Sequence, residues 1–269
     1  MSQPVQAPGD EQLDQPTAEE RAAPWWQALV AGSSTWIGLI LVALIVVFSL
    51  INSTDFFSAS NARNIGSDAA VLLILATGLT YVIITAGIDL SVGSVLVFAG
   101  VAAAKLMNAV GGQGWGTILI GLVVALVGGV VLAQTRFGRY TYTTGSNLEG
   151  TRRAGVNVDL HLIKVYSLMG LLAGLAGFMS LARFSTTTIG GHDTDNLQAI
   201  AAVVIGGTSL FGGIGTMLGT VFGVFIPAVL QNGFVIVGVQ PFWQQIAVGA
   251  VLIGAVYLDQ LRRRSQYQR

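Results

Sequence analysis

The chain has 269 residues, 53% of them hydrophobic and 10% charged, with a mean hydropathy of +0.70 and 13 Lys plus Arg balancing 13 Asp plus Glu. So little charge cannot cover the surface of a soluble domain, and a net charge of zero offers no basic footprint for nucleic acid. With no cysteine in the chain, disulfides, thiolate catalysis and cysteine metal sites are excluded.

Residues 1–24 are rich in Gln, Pro and Glu and lack the basic start and apolar core of a cleavable signal peptide. They read as a disordered, solvated tail. From residue 25 to 259 the charges cluster and leave long gaps. Arg21 and Asp55, Asp68 and Asp89, Lys105 and Arg136, and Lys164 and Arg183 each bracket an uncharged run, and 196–258 is a single one. A helix crosses the hydrocarbon in about 20 residues, so these runs predict about eight membrane helices, near 36–51, 69–87, 92–110, 117–134, 165–182, 197–210, 216–233 and 242–258. The expected fold is an all-α polytopic membrane protein with one transmembrane domain over 25–259, some of its helices broken or re-entrant. Trp25, Trp26, Trp36, Trp115, Trp243 and Tyr257 fall near predicted span ends, where amphipathic rings favour the interface.

Arg136, Arg139, Arg152, Arg153 and Lys164 crowd one loop, and Arg262, Arg263, Arg264 and Arg269 crowd the tail at 260–269. The positive-inside rule makes both cytoplasmic. Four predicted spans separate them and four precede the loop, so both termini are expected in the cytoplasm.

The stretch "GLTYVIITAGIDLSVGS" keeps one charge, Asp89, beside Gly87, Ser91, Gly93 and Ser94. Asp89 and Ser91 suit a cap for the following helix, accepting from its first free amides, while the glycines permit a tight turn. The same residues suit a hinge or polar lining of a transport path, where intramembrane ionisable groups concentrate. The two readings are compatible. A weak repeat points to the same place: Gly87, Leu90 and Gly93 overlie Gly207, Leu210 and Gly213 at one constant offset, with Ser209 inside the second copy "VVIGGTSLFGGIG". Gly-interrupted segments in two halves are the sequence pointer to a transporter's pathway.

Asn232, Trp243 and Gln244, with Gln231 and Gln245, offer neutral hydrogen-bonding groups and an aromatic ring that suit a polyhydroxylated solute; interfacial anchoring and interhelical bonding are the plainer reading. His192, Asp193 and Asp195 share one loop that reads either as a cation site or as solvated chain, and His161 lies on the opposite side. No metal site, catalytic group or cofactor is assigned to this chain. It has no Gly-x-x-x-x-Gly-Lys-Ser/Thr phosphate loop.

Four blocks carry a resemblance: "VIITAGIDLSVGSVLVFAGV", "TRFGRYTYTTGSNLEGTRRAGVNV", "LQAIAAVVIGGTSLFGGIGTMLGT" and "GVQPFWQQIAVGAVLIGAVYLD". In this order they resemble the ribose-type monosaccharide branch of binding-protein-dependent ABC permeases. Family members usually carry further membrane segments where "TILIGLVVALVGGVVLAQTRFGRY" runs on directly, so roughly two spans are missing here.

The resemblance implies a sugar-importing permease subunit in a bacterial inner (plasma) membrane. Its implied partners are a separate ABC ATPase carrying ATP-Mg, an external sugar-binding protein, periplasmic or lipid-anchored, and a second permease chain. It also implies that the 138–159 loop holds a coupling helix for the ATPase, using Gly145, Asn147, Glu149, Arg152, Arg153 and Gly155; a plain positive-inside loop is the other reading. Gly150 stands where the family has a helix-favouring alanine, costing about 1 kcal/mol of helicity, so this element is expected to fray until it binds. A shortened, transport-inactive scaffolding or regulatory subunit is the alternative function, with an ion-coupled carrier behind it.

Overall fold

The computed structural model describes residues 33–104, 115–184 and 195–240, with scattered positions from 242 to 253. The described helices are α1 (Ser33–Ile51), α2 (Ser53–Phe56), α3 (Ala59–Ile84), α4 (Val92–Ala104), α5 (Trp115–Gln134), α6 (Arg136–Ser146), α7 (Leu148–Arg153), α8 (Val158–Phe184), α9 (Asp195–Ile205) and α10 (Met217–Val237). Seven of the eight predicted spans fall on α1, α3, α4, α5, α8, α9 and α10. The scattered described positions of the eighth, at 242–258, are helical.

Three of these helices are long and apolar enough to cross a membrane: α3, α8 and α10. The pair α5 and α6 qualifies as a fourth if its 71° bend is counted within one span. The expected bounds shift most at α3, which starts ten residues before the predicted 69. Its first turns carry Arg63 and Asp68, which an uncharged-run criterion removes. The true start is fixed by Ser58, whose Oγ accepts the Asn61 amide at 3.1 Å. The helix also ends at Ile84, so Gly87 lies outside it.

α3 is the axis of the bundle. Of its most apolar window 94% is buried, against 50% for α8 and for α10, and α8, α5, α10 and α9 pack around it. In lipid the helices gain little from apolar attraction alone, so close approach at small residues carries the packing. A Cβ on Gly223 of α10 would lie 2.0 Å from the Ala202 carbonyl oxygen of α9, and one on Gly121 of α5 would lie 3.0 Å from Ala70 of α3. Hydroxyls join the core: Thr80 and Thr220 are 2.8 Å apart between α3 and α10, and Tyr81 donates to the Gly128 carbonyl of α5. α1 lies outside against α10, with Phe48 stacked on Phe56 and edge-on to Phe234.

Candidate functional site

Two breaks define the site, one between α3 and α4 and one between α9 and α10. Both open with the same helix stop. After α3, the Ala86 amide donates to Ile83 and the Gly87 amide to Val82; after α9, Gly207 donates to Val204 and Thr208 to Val203. Ala86 (φ 62) and Gly207 (φ 86) hold the left-handed conformation in each. This is the Schellman arrangement, which satisfies the last carbonyls of a helix. The internal repeat is therefore structural, but its register differs from the glycine match by one residue. Ala86 corresponds to Gly207 and Gly87 to Thr208. An alanine occupies the strained position in the first copy, at a cost of about 1–2 kcal/mol, so matching glycine to glycine slips the alignment.

The breaks touch. The Gly213 amide donates to the Ile84 carbonyl at 2.8 Å, joining the second break to the end of α3. Gly213 is also left-handed, at φ 73, and a Cβ there would meet Ser146 Oγ at 2.4 Å. Ser209 is buried and folds its own loop: its amide donates to Ile214 O and its hydroxyl accepts the Phe211 amide.

The second half also holds the first break at Asp89. Asp89 Oδ1 accepts from the Ser91 amide (2.9 Å) and the Ser91 hydroxyl (2.6 Å). Neither is an amide of the α4 turn, so the capping expected of Asp89 and Ser91 is only partly realised. Ser91 contributes its carbonyl, which accepts the Val95 amide. The free amide of Gly93 is taken by Asn196 of α9 at 2.8 Å, and the other end of that same amide side chain donates to the Leu90 carbonyl. Sequence reasoning missed Asn196 because a cap supplied from a distant helix leaves no local pattern.

α6 is seated on the joint between the breaks. Gly145 lies so close to Ile84 O that a Cβ would come within 1.7 Å, and the same Cβ would be 2.7 Å from the Gly213 amide. The Tyr142 hydroxyl donates to Gly215 O at 2.7 Å, and buried Thr141 bonds His161 Nε2 of α8 at 3.1 Å. α7 follows at once. The expected fraying is not seen: Asn147 Oδ1 accepts the Gly150 amide at 2.7 Å and caps the helix, making the glycine part of the cap. Glu149 lies in the first turn and Arg152 and Arg153 in the last, each favourable to the helix dipole. Glu149 pairs with Arg153 at 3.2 Å and Arg152 with Asp159 at 2.7 Å, all four exposed. Such surface pairs hold shape more than they stabilise. Gly155, at φ 85, turns the chain into α8.

The remaining expected residues lie apart from this joint. Asn232 is on α10 with its Oδ1 buried and unpaired, and Trp243 is exposed. Gln244, Gln245, His192 and Asp193 fall outside the described residues. Asp195 opens α9, and among the described residues no group of three or more His, Cys, Asp or Glu could hold a metal ion.

A multi-pass helical protein with two capped breaks meeting at one end, beneath a short charged helix, has the build of a membrane transport subunit. A family model described as a branched-chain amino acid transport system / permease component matches residues 130–256. The chain is 32% identical to the ribose import permease protein RbsC of Escherichia coli K12, over 296 residues that cover 81% of this chain and 92% of that one. It is 40% identical to the xylose transport system permease protein XylH of the same organism over 153 residues, 56% of this chain and 39% of the relative. The fructose import permease protein FrcC of Rhizobium meliloti is 28% identical over 306 residues, covering 84% and 85%. The chain belongs to the ribose-type monosaccharide ABC permease family. No solved structure matches it.

Proposed function

We propose that this chain is the membrane-spanning permease subunit of a bacterial ABC importer, moving a ribose-like monosaccharide across the inner membrane. Its energy comes from ATP-Mg hydrolysed by a separate subunit. A second permease chain completes the path, an external binding protein delivers the sugar, and both termini and the α6–α7 segment face the cytoplasm. The observation that carries this reading is the joint, where α6 rests on both breaks and α7 extends from it with exposed Glu149, Arg152 and Arg153. A motor docked on α7 would deliver displacement through α6 to the ends of α3 and α9 together. The sugar class follows the names of the relatives.

The test is a reconstituted complex with the ATPase and binding protein. Addition of a pentose or hexose should raise ATP hydrolysis and drive uptake. Exchanging the charges as Glu149→Arg with Arg153→Glu keeps an ion pair within α7 while inverting the docking pattern, so ATPase copurification should fall with the spans still folded. Undiminished copurification and stimulated hydrolysis would move the docking surface elsewhere. One observation favours a second reading: the alignment to the ribose permease spans 296 positions, more than this whole chain contains, so part of that relative is unmatched here. A transport-inactive scaffolding subunit would still recruit the ATPase but show no sugar-dependent uptake.

A further inference from the structure

A cavity of about 200 Å³ lies between α3, α8, α9 and α10, at the end of the bundle away from the joint. Asp68 stands about 24 Å along α3 from Ile84 at 1.5 Å per residue. Its walls carry Asp68 and Arg183, which form an ion pair, with Ser180, Asp195, Gln198 and Gln231. Val71, Leu72, Pro227 and Ala228 supply an apolar side. None of these polar groups was assigned a role in the sequence apart from the open readings of Asp195 and Gln231.

We propose that this cavity is a binding subsite for one uncharged monosaccharide, a proposal that rests on the sugar-permease reading and refines it. At about 30 Å³ per liquid water, the space holds six or seven waters, which matches a pentose or hexose. A sugar presents hydroxyls that both donate and accept on a ring whose C–H faces are apolar. The two glutamines offer donors and acceptors, the carboxylates accept, and the guanidinium donates, while the aliphatic wall takes the C–H face. Among the described residues the walls carry two carboxylates, and their guanidinium is already paired with Asp68, so a phosphorylated sugar or other anion is disfavoured. An amino acid would have to break the Asp68–Arg183 ion pair to set its carboxylate on the guanidinium, whereas a neutral sugar bonds to that pair as it stands. Because α3, α8, α9 and α10 each contribute a wall, occupancy would report on how α9 and α10 sit against α3.

The absence of cysteine permits a direct test on the full chain. Gln198→Cys and Gln231→Cys place single thiols on the α9 and α10 walls, and Thr143→Cys serves as an exposed control on α6. Each protein in lipid nanodiscs is treated with a methanethiosulfonate reagent while D-ribose, D-xylose, D-fructose or L-leucine is titrated. One of the sugars should slow modification saturably at both wall positions, by about tenfold at ten times its half-protecting concentration, the factor 1 + [L]/Kd. Thr143→Cys should be unaffected, and leucine should not protect. No slowing by any of the three sugars at either wall, equal slowing at the control, or protection by leucine alone would overturn the proposal. Two wall positions guard against one variant that fails to fold. Uptake by the reconstituted complex judges the permease reading separately: uptake without protection removes the subsite and leaves the permease, and protection without uptake does the reverse.

Discussion

Gly145→Ala sets local propensity against tertiary packing and predicts opposite signs. Gly145 lies inside α6, where replacing glycine by alanine should stabilise by about 1 kcal/mol on propensity alone. The added Cβ, however, would fall 1.7 Å from Ile84 O and 2.7 Å from the Gly213 amide. It lies on the hydrogen bond that joins the two breaks, and the obstacle is backbone, which cannot rotate away. Losing that bond leaves two backbone groups unpaired, at about 1–3 kcal/mol, and overpacking adds about 1–3 kcal/mol. After the propensity gain, a net loss of roughly 1–5 kcal/mol remains. Gly155→Ala is the control: nothing lies within 4 Å of its Cβ, and only its φ of 85 is strained, so it should cost about 1–2 kcal/mol without touching the joint. Unfolding in detergent followed by circular dichroism gives the stabilities, and amide exchange at Gly213 reports the bond itself. If Gly145→Ala unfolds at or above the parent and Gly213 remains as protected, the joint does not hold the breaks together.

Asn196→Ala removes both hydrogen bonds to the α3–α4 break and should cost about 1–3 kcal/mol, with faster exchange at the Gly93 amide; Asn196→Asp, which retains the acceptor, should keep that amide protected. Unchanged exchange in the alanine variant would refute the clamp. Asp89→Asn keeps an acceptor for Ser91 and should insert normally while transport falls, whereas Asp89→Leu should lower both insertion and transport; a fully stable and active leucine variant removes both roles. Ser146→Cys in intact cells should resist an impermeant thiol reagent and react after permeabilisation, and labelling from outside would invert the orientation.

Much of this architecture is legible in the sequence because membrane spans are written as long charge-free runs. Their ends are less legible: Arg63 and Asp68 belong to α3 although they interrupt the apolar run. The breaks show as glycine clusters, yet their register does not, since the left-handed residue of the first is Ala86. Glu149, Arg152 and Arg153 advertise an exposed helix by their charge. Gly145, which seats that helix, looks like a weak helical residue until the carbonyl against it is known. Asn196 and the wall of the Asp68–Arg183 cavity are invisible for one reason. Each side chain is unremarkable alone, and its meaning comes from partners on helices far away in the chain.

The single hydrogen bond between Gly213 and Ile84 also removes an independent degree of freedom. Two helix ends bridged at the backbone cannot separate without breaking that bond, so a load on one copy of the repeat also bears on the other. The symmetry of the fold thereby becomes a backbone link between its two halves.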